Sequence, residues 1–549
     1  MKYAVVPVLL AAMMVSGCSK DQNTASLTDD VTLNPTPYIP PQCYTNPVSE
    51  GGVQNPCYVC HTPSKRPNLL NDIDVQLEYF FPETGLENRW SNIFRDRSAE
   101  VAKISDDEIL KYVRTDNYIA ADGEPELAHQ LKNTPKEWDR NGNGRWDGYT
   151  PDVYFNFDEQ GFDLTPEGKD SGWRVYAYYP FPGTFMPTNG SMDDVMIRLP
   201  EAFRETAGGE YSRDIYRLNL AVVEAMMKEQ DIAIPVTDEA SLGVDLDKNG
   251  ELSIASSLRY EWAPREGKQM YYVGRAGVLQ AEGKVHIAAR LFPEGTEFVH
   301  SVRYMNVVDG DVTMAPRMKE LRYARKGEWR NYFQLRTIVD KEVKERHDFP
   351  DRTKVAFGNM EEGMSTPHGW VYQGFIEDSS GALRPQTYEE TYFCLGCHGY
   401  TGASNDTNLS FTRKFGDHSF RGGWYHWSDK GLAGVADPLR EDGHGEYAYY
   451  LQNNPTGNEY RDNKEVFNKF HQGDGTARQE MFQALSEDIS VLLIPSAERA
   501  LTLNKTYREI VREQSFNKGR DAIIRDPGTL HEKVELSQKT GITEVLSYY

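Results

Sequence analysis

The chain has 549 residues, 39% of them hydrophobic and 26% charged, which is enough for a sizeable core and for several domains at about 150 residues each. Its formal net charge is −23, from 83 acidic against 60 basic side chains. That balance argues against nucleic acid and anionic lipid surfaces as partners, because phosphates are held by clustered Lys and Arg. It suits an acidic body that docks on a basic protein.

The chain opens with Lys2, an apolar run from Val5 to Val15, and small residues Ser16 and Gly17 before Cys18. The run is too short for a permanent membrane span. Ending on V-S-G-C, it resembles a bacterial lipoprotein signal. The resemblance implies that residues 1–17 are removed and that Cys18 is acylated, so the membrane is met by a lipid anchor only. Ser19, rather than Asp, after the cysteine implies outer-membrane sorting. Residues 18–41, with TPYIPPQ at their end, read as a flexible tether.

Residues 42–114 form a first module around CYVCH (57–61). The stretch LEYFFPETGLENRWSNIF that follows is aromatic enough to wall a porphyrin or to be plain core. SDDEILKYVR (105–114) predicts a helix with Ser105 as N-cap and acids in its first turn. Residues 115–385 are β-rich. Strands are expected at 173–181, 269–274, 284–290 and 297–307, from aromatic and branched residues in partial alternation. One helix interrupts at 212–230, where Ile215, Leu218, Val222 and Met226 make an apolar stripe.

Two acidic loops lie in the same section. DRNGNGRWDG places Asp139, Asn141 and Asn143 at positions 1, 3 and 5 of a calcium-type loop, with Gly144 at the sharp turn; DLDKNGELS does the same with Asp245, Asp247, Asn249 and Gly250. Neither has the Glu at position 12, where Thr150 and Ser256 stand, so Asp147 or Asp152 would have to complete the first. Such clusters are also ordinary turns.

The second module spans 386–475 around CLGCH (394–398), and residues 476–549 form a helical closing segment interrupted at Pro495. The expected fold is therefore mixed α+β and multidomain, with two mainly helical or loop modules separated by a long β-rich section.

The six cysteines are 18, 43, 57, 60, 394 and 397, and four of them belong to the two C-x-x-C-H pentads. This is the attachment pattern of c-type haem: two thiols one turn apart reach the porphyrin vinyls, and the next histidine faces the iron. A thioredoxin site needs a βαβ setting that neither pentad has. A zinc site built from the four cysteines would not need the histidine after each pair. The chain resembles the c-type cytochromes, specifically a dihaem c-type lipoprotein, over the export segment and the pentads and nowhere else. The resemblance implies two covalent haems, with His61 and His398 as axial ligands.

The sixth ligand of each iron decides the role. A second protein ligand makes an electron carrier, and an open position makes a site for a small molecule. His418, His426 and His444 follow the second pentad, and His368 precedes it beside Met364. His444, His426 and His368 are the candidates there, with Cys43 for the first haem. Arg413 and Lys414 are candidates to neutralise haem propionates. The expected function is electron transfer in the bacterial envelope with a redox partner protein. The alternative is a peroxidase- or oxidase-like dihaem oxidoreductase.

Overall fold

The computed structural model describes residues 32–547 apart from 50–51, 183–188, 355, 400, 417–418, 455–460 and 462; Cys18 and His418 lie outside the described residues. Its centre is a nine-stranded sheet in which every pairing is antiparallel. In chain order the strands are β1 (Phe162–Leu164), β2 (Asp170–Tyr176), β3 (Val195–Arg198), β4 (Glu297–Val308), β5 (Asp311–Lys326), β6 (Phe357–Asn359), β7 (Gly363–Ser365), β8 (Trp370–Glu377) and β9 (Leu383–Pro385). They lie side by side as β6-β7-β8-β5-β4-β3-β2-β1, with β9 also on β8. The long β4–β5 hairpin turns through Asp309 and Gly310, both at positive φ (52° and 94°), the conformation that matches the twist of a tight hairpin. The chain is a mixed α+β protein, as its sequence predicts.

Alternation along the strands gives the sheet two buried faces. Tyr176, Ile197, Phe298, Trp370 and Tyr372 meet the stripe of α2 (Arg213–Lys228), whose Ser212 oxygen caps the Ile215 N–H. Trp173, Val175, Met196, Val299, Tyr323 and Phe375 meet Tyr118, Leu127, Leu131 and Trp138 on the other side. Helix α1 (Asp106–Val113) begins at its predicted Ser105 cap, and helix α3 (Ala497–Glu513) begins at Ser496 just after Pro495.

Two expected strands are not strands. At 269–274 the backbone is claimed by side chains: Asn219 accepts from the Val273 N–H at 2.9 Å, and Gln280 accepts from Tyr272 at 2.9 Å. At 284–290 the chain is irregular, with Arg290 at φ 60° and its N–H on Met226. Both runs are apolar enough for a strand, but α2 and the short helix Gly274–Ala281 between them give their N–H groups other partners. The closing segment after α3 is not α-helical either, apart from one 3-10 turn at Phe516–Lys518. It runs extended along the first module, bridging Thr45 to Leu530, Glu87 to Lys533 and Glu78 to Lys539.

Candidate functional site

The first pentad forms a single helical turn, Cys57–Cys60, after Pro56, with the His61 N–H donating to the Cys57 carbonyl at 2.8 Å. Tyr58 and Val59 are fully buried, so the two cysteines turn to the other side of the turn. Tyr58 packs on Tyr449 and Tyr450, and its hydroxyl accepts from the Asn454 amide at 3.0 Å. The first pentad thus sits in the core of the segment that carries the second. The His61 Nδ1–H donates to Asp72 Oδ2 at 2.6 Å, and Gln76 holds the His61 carbonyl at 2.8 Å.

The second pentad follows β9 through a helix, Tyr388–Tyr392, capped by Thr387 and Glu390 in a reciprocal pair. Arg384 grips Glu390 with both terminal nitrogens, at 2.8 and 3.0 Å. Residues 393–396 tighten into a 3-10 turn, and the His398 N–H donates to the Cys394 carbonyl at 3.0 Å. The His398 Nδ1–H donates at 3.3 Å to the Thr407 carbonyl, which also accepts from the Tyr372 hydroxyl at 3.2 Å. Asp406 and Thr407 hold positive φ (52° and 56°) in this turn, and a buried ion pair, Lys326 to Asp406 at 2.7 Å, fixes it.

Cys57 and Cys394 are 337 positions apart in sequence, yet their segments touch. The Ala403 N–H donates to the Cys60 carbonyl at 2.9 Å, the Gly402 N–H to Asp72 Oδ1 at 3.2 Å, and the Asn68 amide to the Thr401 carbonyl at 2.6 Å. A Cβ on Gly402 would meet the Thr62 carbonyl oxygen at 2.0 Å, so only glycine lets the two chains pass this closely.

The pentad cysteines and both histidines retain intermediate solvent accessibility. Burial nevertheless pushes the Cys57 thiol up to about 12 and Cys397 to about 11, raises Cys60 and Cys394, and lowers His398 to about 4. These groups are half-buried among protein atoms. Such a setting penalises thiolates and keeps the His398 imidazole neutral.

The other expected residues spread around this centre. Cys43 packs with Ile39, Tyr44 and Trp90 close enough to Cys57, Cys60 and Cys397 to feel their charge, and burial raises its thiol well above the usual range. That disfavours a thiolate there. His444 sits on a surface turn, 67% exposed, against Asp442. His426 hydrogen-bonds Ser428 at 2.7 Å and lies by Phe157. His368 is buried, with its imidazole pushed far down by burial and by Lys326, Lys354 and Arg330; Met364 is buried in β7. Arg413 and Lys414 are buried against Glu446 and Glu224, at 2.7 and 3.0 Å.

In the first acidic loop Asp139 accepts from the Gly142 and Gly144 N–H groups, and Asn141 and Asn143 donate to Asp147. Asp152 is turned away, toward Arg198 and Trp173. In the second, Asp245 closes the turn through the Asn249 and Gly250 N–H groups, and Asn249 donates to Asp247. There Asp245 and Asp247 join buried Glu239, three carboxylates within 4.8 Å of one another. This is the one such group of His, Cys, Asp and Glu among the described residues, so the pentad thiols do not converge as a zinc centre requires.

Sequence reasoning missed Asp72, Thr407, Glu239, Glu361 and a polar group beside the second pentad. Glu361, fully buried, accepts the Arg140 and Asp147 N–H groups of the first loop. In the polar group, His300 Nε2 pairs with Asp193 at 2.7 Å, and the Tyr178 hydroxyl donates to the same carboxylate at 2.6 Å. His300 faces Arg322 across the β4–β5 pair, and both act electrostatically on His398. One signal was readable: His300 and Arg322 fall on the long strands of an Asp-Gly hairpin.

The architecture is that of a mixed α+β protein whose two sequence-distant pentads share one centre. Residues 27–480 match the model of a lipoprotein family, and the chain belongs to it. It is a lipid-anchored protein by that membership, and no helix among the described residues is long and apolar enough to cross a membrane. A protein of Aquifex aeolicus (strain VF5) described as an uncharacterized lipoprotein is 29% identical over 602 aligned positions, covering 98% of this chain and 96% of the relative. No solved structure matches.

Proposed function

We propose that the chain is a dihaem c-type cytochrome of the bacterial envelope that passes electrons between partner proteins. Haem is carried at Cys57, Cys60 and His61 and at Cys394, Cys397 and His398. The anchor at Cys18 and the following Ser19 put it at the outer membrane, and the net charge of −23 favours a basic redox partner. Ca²⁺ at the second acidic loop stays part of the proposal.

The observation that carries the reading is the state of the two histidines. Each donates its Nδ1–H to an oxygen, so each presents Nε2 as a free lone pair. The thiols beside them are half-buried, and burial disfavours their thiolates. A thioether is uncharged and tolerates that setting, and the four thiols do not gather into the cluster that a zinc site needs. Haem, when bound, would supply one-electron chemistry; the four cysteines would hold it, and Asp72 and the Thr407 carbonyl would orient His61 and His398 toward it.

A second reading, an oxidoreductase acting on a small molecule at the second iron, has one observation in its favour. His300, held by Asp193 and Tyr178, and Arg322 stand beside His398 as polar donors without a role in a simple carrier. Absorption and EPR spectra of the purified protein test both. An all-low-spin ferric spectrum unmoved by cyanide, CO or peroxide supports the carrier. A high-spin component that shifts with them supports the oxidoreductase. A colourless preparation from cells competent in cytochrome c maturation overturns both.

A further inference from the structure

We infer that the two centres are built for unequal reduction potentials, the one at His61 lower, and that Asp72 is the residue that sets the difference; this rests on the haem reading above. The two axial histidines are anchored by different chemistry. His61 gives its Nδ1–H to a carboxylate at 2.6 Å. His398 gives its own to a neutral carbonyl at 3.3 Å, and that carbonyl is shared with Tyr372. A strong, short bond to a carboxylate makes the imidazole a better electron donor and favours the ferric state; a long bond to a shared carbonyl does little.

The surrounding charge acts in the same direction. Asp72 is 8% exposed at its side chain, so its charge is poorly screened, and both oxygens are engaged, Oδ2 by His61 and Oδ1 by the Gly402 N–H. Arg413, the basic group that acts on Cys60, is paired with Glu446 at 2.7 Å. At the second centre Arg322 and Arg520 share Glu320, Arg384 is paired with Glu390, and Asp193 also acts on Arg322. Arg322 and Arg520 both act on Cys394. The buried carboxylate bonded to the His61 imidazole has no counterpart bonded to His398, and that difference separates the potentials.

The contact between the centres then has a direction. The Cys60 carbonyl is bonded to the Ala403 N–H, so the two pentad segments adjoin without intervening structure. Electrons run from the His61 centre to the His398 centre. Asp72 is a positioning residue in this scheme: it acts through His61 and touches no partner. It also ties the second segment, through Gly402, to the first.

The test is an optical potentiometric titration of the purified holoprotein, with haem content first verified by mass. Two resolved waves are expected. In Asp72→Asn, which keeps the size of the side chain and an oxygen for Gly402, the lower wave moves up and the upper stays. Asp72→Glu, which keeps the charge, leaves the lower wave lower than in Asp72→Asn. A single wave in the unaltered protein overturns the inference, as does an Asp72→Asn protein with unmoved waves or with the upper wave moved. Should Asp72→Asn fail to retain haem, the unaltered protein must show two waves and Asp72→Glu must keep the lower wave at its position in the unaltered protein; a lower wave that rises in Asp72→Glu overturns the inference. Absence of haem from the unaltered protein is a failure of the haem reading itself.

Discussion

The backbone N–H of Ala403 donates to the carbonyl of Cys60 at 2.9 Å, joining the turn after one pentad to the turn of the other. This single bond, with its neighbours at Asp72 and Asn68, turns two sequence-distant motifs into one centre. Its consequence is that the β-rich section works as the frame that brings the pentads together.

Gly402 is the closest point of that contact. Gly402→Ala places a methyl 2.0 Å from the Thr62 oxygen, where backbone rather than a flexible side chain must move. The variant is expected to lose about 1–3 kcal/mol of stability, as overpacked sites do, and to alter the spectra of both centres together. Denaturant unfolding measures the first and EPR the second. A variant as stable as the parent, with an unaltered spectrum, would show the contact to be loose.

The Lys326–Asp406 pair is fully buried on both sides and holds the strained turn whose Thr407 carbonyl receives His398. Lys326→Met leaves a buried carboxylate without its cation, a change that costs about 3–5 kcal/mol. Its spectral effect is expected at the His398 centre alone. Asp406→Asn combined with Lys326→Met should recover part of the loss. Double-mutant unfolding measurements check the recovery, and equal losses in the single and double variants would count against the pair.

Glu389 holds the Leu33 and Asn34 N–H groups at 2.6 and 3.1 Å, and burial pushes its carboxyl up to about 7. A carboxyl raised in the folded state binds its proton more tightly there than in the unfolded chain, whose value is about 4.3. Its contribution is therefore greatest below pH ~4 and is lost as pH climbs through ~7. The melting temperature is expected to fall over that window, and Glu389→Gln to flatten the fall. A slope unchanged by the substitution would remove Glu389 as its source.

How much of this was legible in the sequence depends on whether a residue's role is local. The pentads were legible because their five residues are adjacent in sequence, and the Ser105 cap because capping acts within three residues. The strands of the β4–β5 hairpin were half legible: 297–307 alternates visibly, while the Asp309–Gly310 turn passed unnoticed. Asp72 was hidden, being one acid among 83 and eleven positions from its histidine. Thr407 acts through its backbone carbonyl, which no side chain announces. The runs at 269–274 and 284–290 look like strands because their apolar faces are real, but α2 and the short helix Gly274–Ala281 claim their backbone.

The acidic loops separate by the same logic. Only the second gathers three carboxylates, through Glu239, a residue that precedes the motif. A chelator is expected to lower the melting temperature and added Ca²⁺ to restore it, by about 2.7 kcal/mol at a hundredfold excess over the dissociation constant. Glu239→Gln should abolish the response and Asp139→Asn leave it intact. A chelator without effect would mean that both loops are closed by their own hydrogen bonds.

The most direct measurement is mass spectrometry of the intact protein and of its peptides, from cells that mature c-type cytochromes. The prediction is added mass equal to two haems, one on the peptide with Cys57 and Cys60 and one on that with Cys394 and Cys397. Unmodified peptides with free thiols at those four positions would contradict it.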